Sequence, residues 1–352
     1  MEADVTAGLT GDQATTKKPW HGVVVAIATP FKDDLSVDFG RLQEHVRWLA
    51  DEGCDGVTPN GSLGEYQTLS DQERSDIVRA VVEAAPSGCS VVPGVGAYGS
   101  HQARRWAEDA AAAGADAVLS LPPNAYRATD EEVVAHYRAV AAAGLPVVTY
   151  NNPYDTKVDL TPELLATIAE IDGIVAVKEF SGDVRRLHRI RELVTHLDVL
   201  AGADDVLLEL VMLGSPGWIA GLPNALPRAS VRLFSRARRA SGGSAGVASS
   251  GDTAAGYRGF GPLTGSSGGP RGVVPAASSS VYEDALALYR RLHPIFRWDS
   301  RPEFIQAIKL AMHVAGRYGG PCRPPRLPLP EEQAAQVRKD AELALQAEVS
   351  DA

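Results

Sequence analysis

The run "IVAVKE", residues 174–179, sets a lysine directly after four apolar residues that read as a buried strand. Desolvating an ammonium is expensive, and this chain uses lysine sparingly, with seven Lys against twenty-seven Arg. An amine in a partly desolvated site has a lowered pKa, keeps a neutral fraction and can attack a carbonyl carbon to form a Schiff base. The run "PVVTY", residues 146–150, likewise ends in Tyr150, a phenol able to pass protons as a carbinolamine forms and collapses. In "NGSLGE", residues 60–65, two glycines bracket Ser62 and Leu63. Backbone N–H groups converging in such a turn can hold a carboxylate, with the Ser62 hydroxyl as a further donor. Each feature alone has an ordinary explanation: a snorkelling or ion-paired lysine, a tyrosine packed at a rim, a tight loop. Brought to one place, the amine, the phenol and the anion turn make a stronger pattern.

The elements that must position them follow a rhythm. Strand candidates are 22–28, 55–59, 90–95, 116–120, 146–150, 174–178, 198–202 and 217–221. Amphipathic, Ala-, Arg- and Glu-rich segments lie between them, near 38–52, 71–85, 100–114, 131–143, 162–171, 183–196 and 204–213, with a further one at 227–240. Near-continuous apolar strands alternating with helices predict a parallel sheet covered by helices. Eight such units predict a (β/α)8 TIM barrel, whose catalytic residues sit at the C-terminal ends of the strands. The alternative, an open doubly wound sheet, usually opens with a glycine-rich first turn. Here the first strand runs into Thr29-Pro30-Phe31 instead. Ser70 and Glu73 have capping-box spacing, Thr161-Pro162 reads as a cap followed by proline at the first helical position, and Gly53 and Gly114 fall where helices end. Asp204-Asp205 reads as the cap of the seventh helix, and His188 and His196 as one surface helix face.

Four regions are expected. Residues 1–19 form a disordered arm, 20–240 the barrel, 241–280 a flexible insertion of which half is Gly or Ser, and 281–352 a C-terminal helical appendage. Helical patterns in the last region fall near 281–295, 302–316 and 331–347. The net charge of -10 argues against nucleic acid or an anionic membrane as partner. Cys54, Cys89 and Cys322 show no paired spacing, which fits a reducing compartment and no metal cluster. The N-terminal stretch has no basic start followed by an apolar core, and no apolar run is long enough to span a bilayer. A cytoplasmic location is expected, with no metal site and no cofactor.

At these residues the chain resembles a known family. "GSLGE", "TYNNP" and "VAVKE" are similar to the G-[ST]-x-G-E, Y-N-x-P and [IV]-K-E signatures of the dihydrodipicolinate synthase / N-acetylneuraminate lyase family, class I Schiff-base lyases on a (β/α)8 barrel. The likeness runs from about residue 20 to 240 and resumes in the C-terminal helices. It implies that Lys178 is the Schiff-base lysine and Tyr150 the proton shuttle. It implies that Ser62 and the backbone at Leu63 hold the carboxylate of a 2-oxo acid, and that the backbone at Ile219 contacts it. It also implies a homo-oligomer, a dimer or tetramer. Three positions depart from the synthase pattern: Leu63 stands where a second hydroxyl is expected, Asp155 where an arginine is expected, and Ala125, beside Tyr126, where a relay tyrosine is expected.

The expected function is a Schiff-base lyase acting on a small 2-oxo acid or related cyclic imine, by aldol cleavage, dehydration or deamination. The alternative is 4-hydroxy-tetrahydrodipicolinate synthase chemistry, joining pyruvate to aspartate semialdehyde, against which Asp155 counts. A non-catalytic ligand-binding barrel is a rival of another class, and Lys178 with Tyr150 counts against it. A metal-dependent aldolase lacks a His/Asp/Glu cluster with ligand spacing.

Overall fold

The computed structural model describes residues 17–242 and 277–349. Strands and helices alternate: β1 (Gly22–Ala26), α1 (Phe39–Asp51), β2 (Gly56–Thr58), α2 (Asp71–Ala84), β3 (Ser90–Val91), α3 (Ser100–Ala113), β4 (Val118–Ser120) and α4 (Asp130–Ala141). The second half continues with β5 (Val147–Asn151), α5 (Pro153–Thr156), α6 (Pro162–Ile168), β6 (Ile174–Glu179), α7 (Arg185–Leu193), β7 (Asp198–Ala201), α8 (Leu207–Met212), β8 (Gly217–Ala220) and α9 (Pro227–Ala240). Three helices follow: α10 (Ala277–Phe296), α11 (Phe304–Val314) and α12 (Glu331–Val349).

The eight strands pair in the order β3-β2-β1-β8-β7-β6-β5-β4, and all pairings are parallel. A parallel bridge between Gly94 and Leu119 joins the two ends, so the sheet closes on itself as expected. β3 is shorter than its sequence candidate because Pro93 has no N–H to give the ladder. Its carbonyl still accepts from Leu119 N at 2.9 Å. Strand residues are buried on both faces, as in Val147–Asn151, which is why these strands read as continuous apolar runs.

Helix starts follow local chemistry. Ser70 and Glu73 form a reciprocal capping box on α2, and Thr129 and Glu132 form another on α4. Thr161 caps α6, with Pro162 at its first position. Gly114 ends α3 in the left-handed conformation. Asp204 does not cap a helix: it opens a short 3-10 turn, and α8 begins only at Leu207 without a side-chain cap. α7 stops at Leu193, so His196 lies beyond it rather than sharing a helix face with His188.

The C-terminal helices pack on the barrel, α10 against α8, α9 and α12, and α11 against α12. α10 begins at Ala277, inside the expected 241–280 insertion. Residues 1–16 of the expected arm and 243–276 of the insertion lie outside the described residues. Among the described residues no helix is long and apolar enough to cross a membrane.

Candidate active site

At the C-terminal ends of the strands a cavity of about 460 Å³ opens, lined by Ala26, Thr58, Leu119, Tyr150 and Lys178 at or near strand ends and by Gly61, Ser62 and Leu63 of the turn after β2. Lys178 and Tyr150 are register partners on β6 and β5. Side chains alternate along a strand, so both face the cavity while their neighbours face outward. Those neighbours, Asn151 and Glu179, bond each other at 3.0–3.1 Å on the far side.

Lys178 is 6% exposed, with its Nζ 4.3 Å from the centre of the Tyr150 ring and 5.7 Å from that of Phe180. The strand beside it makes room: a Cβ on Gly202 would come within 3.0 Å of the Lys178 Cγ. Burial pushes the Lys178 pKa down, and the charges of Asp299 and Asp204 push it partly back up. Burial also raises the Tyr150 pKa well above the ordinary phenol value, helped by Asp299 and Asp155 and opposed by a bond from Asn152. That bond, from Asn152 Nδ2 to the Tyr150 hydroxyl, is long at 3.4 Å. The site therefore holds an amine biased toward its neutral form beside a phenol that keeps its proton. Such a pair can add to a carbonyl and relay protons, while a free phenolate base is disfavoured.

The turn carrying Ser62 and Leu63 is fixed by backbone geometry and from a distance. Asn60 and Glu65, at its two ends, take left-handed conformations. Thr29 Oγ1 donates to the Gly64 carbonyl at 2.8 Å. Glu65 is fully buried and accepts from Lys309 Nζ of α11 at 2.7 Å and from the Arg323 backbone N–H at 2.9 Å. The C-terminal region thus clamps the turn in place.

Four of the five residues expected from sequence, Lys178, Tyr150, Ser62 and Leu63, line this cavity. The fifth, Ile219, is fully buried within β8 as the register partner of Val24. Gly221, two residues on, is among the residues that line the cavity. A Cβ there would meet Asp299 Oδ1 at 2.8 Å.

Several lining residues escaped sequence reasoning. Asp299, Ser300, Arg301 and Pro302 come from the connection between α10 and α11, Phe304 from the first position of α11, and Arg326 from the segment before α12. Asp204, which reads as a helix cap, is instead a fully buried carboxyl that accepts from Trp218 Nε1 at 2.9 Å and Leu222 N at 3.0 Å. Its own backbone N–H donates to Asp299 Oδ2 at 3.4 Å. Burial raises the pKa of both carboxyls, and each lies near enough to Lys178 to be lowered by it in part. Thr58 is fully buried, and its Oγ1 has no hydrogen-bond partner among the described residues. Its place at the end of a strand candidate was the one signal that could have drawn attention to it. Ala125, Arg127 and Lys157 are exposed and do not line the cavity, whereas Asp155 does.

Comparison with known proteins agrees with this geometry. Residues 19–248 match the model of the dihydrodipicolinate synthetase family. A 4-hydroxy-tetrahydrodipicolinate synthase from Methanothrix thermoacetophila is 33% identical over 322 residues, covering 91% of this chain and 95% of that one. A DapA-like lyase from Halobacterium salinarum is 32% identical over 327 residues, covering 92% and 94%. The crystal structure of a putative dihydrodipicolinate synthetase from Pseudomonas aeruginosa superposes with a TM-score of 0.76 at 27% identity, covering 92% of this chain and 99% of that one. A closed parallel barrel with a buried lysine at its mouth, matched along most of its length to these relatives, makes this chain a member of the dihydrodipicolinate synthetase family.

Proposed function

We propose that this protein is a Schiff-base-forming lyase acting on a small 2-oxo acid or a related cyclic imine. The observation that carries the reading is Lys178, a buried amine at the end of β6 packed against the Tyr150 ring inside the cavity. Its neutral amine adds to the C2 carbonyl of the acid, whose carboxylate sits at Ser62 and the Leu63 backbone. Tyr150 relays a proton to the carbinolamine oxygen, water leaves, and a protonated imine remains. In an aldol cleavage the C3–C4 bond then breaks and its electron pair passes into the enamine. The C4 hydroxyl gives up its proton, and that carbon departs as a carbonyl. Protonation of the enamine and hydrolysis of the imine return the amine. Dehydration and deamination use the same electron sink, and a cyclic imine reaches Lys178 by direct exchange.

The relatives' names favour a second reading, the condensation of pyruvate with aspartate semialdehyde. Asp155 weighs against it, because a carboxylate lines the cavity where the synthase pattern expects a carboxylate-binding arginine. Asp155 is held by Asn152 Nδ2 at 2.9 Å. The proposal includes a cytoplasmic location, supported by three free cysteines, and a homo-oligomeric assembly, supported by family membership.

The test is borohydride reduction in the presence of pyruvate and a panel of 2-oxo acids, followed by peptide mass analysis. The reduced adduct is expected on Lys178. An adduct on another lysine, or none across the panel, overturns the covalent mechanism.

A further inference from the structure

The cavity is larger than the proposed chemistry requires. Pyruvate has six non-hydrogen atoms. Even at the ~30 Å³ that a water molecule occupies in the liquid, six such atoms fill less than half of the roughly 460 Å³ present. The remaining space has its own chemistry. Leu63, Leu119, Phe180 and Phe304 give it apolar walls, and the exposed Arg301 and the partly exposed Arg326 line it as well.

The two arginines are held without being neutralised. The Arg301 guanidinium lies 4.3 Å from the centre of the Trp298 ring. That ring is itself fixed, buried and donating through Nε1 to Asp340 Oδ2 at 3.0 Å. Arg326 uses only Nη1, which donates to the Pro302 carbonyl at 3.2 Å and to Gln306 Oε1 at 3.4 Å. The first of these bonds places it beside residue 302, next in the chain to Arg301. Among the described residues neither guanidinium forms an ion pair, and every partner of Arg326 is uncharged. Elsewhere in the molecule Arg186 and Arg323 pair with carboxylates, whereas Arg74 and Arg191 donate to backbone carbonyls. The Arg326 guanidinium in turn lies 5.6 Å from the centre of the Phe304 ring, so two guanidiniums near aromatic rings, without an ion pair among the described residues, line the cavity where an anionic group can meet them.

We infer that the substrate carries a second carboxylate at the end remote from its reacting carbonyl, and that Arg301 and Arg326 receive it. The inference deepens the Schiff-base reading and rests on it. The apolar walls fit a hydrocarbon stretch between the two ends, and a guanidinium fork binds a planar carboxylate through two parallel bonds.

Calorimetric titration of the whole protein with two five-carbon acids tests this. 2-Oxopentanedioate and 2-oxopentanoate differ only in a terminal carboxylate against a methyl group. The diacid is expected to bind more tightly by about 10- to 100-fold, the range for charge-assisted hydrogen bonds. Arg301→Gln/Arg326→Gln is expected to bring that ratio to about one, and each single variant to reduce it in part. Lysine at both positions should restore some of it, because charge returns without the fork. Equal binding of the two acids by the unaltered protein, or an advantage that survives the double substitution, overturns the inference. Borohydride trapping, run separately, keeps the two readings apart. An arginine-dependent advantage without a Lys178 adduct sinks the covalent step and leaves the anion site standing. An adduct without the advantage does the reverse.

Discussion

Lys178 and Arg301 line one cavity and are held there by opposite means. Lys178 is 6% exposed and sits in the middle of the sheet, with Tyr150 and Leu200 as register partners on either side. Its position is set by ladder hydrogen bonds that no single side-chain change can undo. Arg301 is exposed, lies in the connection between α10 and α11, and is steadied by one ring contact with Trp298. An amine in the role proposed for Lys178 needs a fixed geometry and a dry setting, and a central strand supplies both. Groups in the role proposed for Arg301 need to vary without disturbing the chemistry, and an irregular segment outside the barrel allows that. The cavity joins a floor of paired strands to a rim of irregular segments.

The floor should fail completely when its central group is changed. Lys178→Arg keeps a cation at the strand end but supplies no neutral amine at working pH. Turnover and the borohydride adduct should both vanish while the circular dichroism spectrum and melting temperature hold. Residual turnover above background would mean that the amine is not the nucleophile. Tyr150→Phe should cost less, roughly 10²- to 10⁴-fold in turnover, the range for a positioned acid–base group. Substrate affinity should change far less, since the ring contacts with Lys178 and Phe180 remain. Unchanged turnover would reduce Tyr150 to a packing residue.

The same contrast decides what could be read from the sequence. The floor was legible because strands impose a period of two and a register. Residues 146–150 and 174–178 read as neighbouring strands that end in Tyr150 and Lys178, and the structure pairs the two residues in register. The rim was not legible. Asp299, Arg301 and Arg326 reach the cavity because α10 and α11 pack back over the barrel, and no local pattern in "WDSRPEF" announces that. Asp204 misled for a related reason. An aspartate before an apolar helix is good cap chemistry, but its carboxylate turned inward to Trp218 and the Leu222 N–H, partners from β8 and the turn after it.

Floor and rim meet at one ion pair. Lys309 and Glu65 are 3% and 0% exposed at the side chain, and they tie α11 to the turn that carries Ser62. Lys309→Met leaves Glu65 as a buried charge without its main partner, a change that typically costs about 3–5 kcal/mol. The denaturant midpoint should fall accordingly, and the KM for the oxo acid should rise as the turn loosens. Arg104→Ala removes an ion pair with Glu108 in which both side chains are about half exposed. That loss should stay below about 1 kcal/mol. If both substitutions cost the same, the C-terminal region merely rests on the barrel and does not brace the site.

The smallest expected effect is none at all, and it bears on what the rim is for. Pyruvate and aspartate semialdehyde supplied together should give no cyclic product above background, whereas a single diacid 2-oxo substrate should be turned over. A synthase must hold the carboxylate of its aldehyde partner close to the enamine, and where the synthase pattern expects an arginine for it this chain has Asp155, on α5 and lining the cavity, whose carboxylate repels it. Lys157 is exposed and outside the cavity, as is Arg127. The cations left to do the work are Arg301 and Arg326. Condensation at an ordinary enzymatic turnover, on the order of 1–10³ per second, would therefore reassign them from the far end of one substrate to the carboxylate of a second. Arg301→Gln/Arg326→Gln would then abolish condensation while pyruvate alone still formed its adduct on Lys178. Loss of both activities in that variant would instead place the arginines in the floor, and the division between a fixed floor and a variable rim would fall with it.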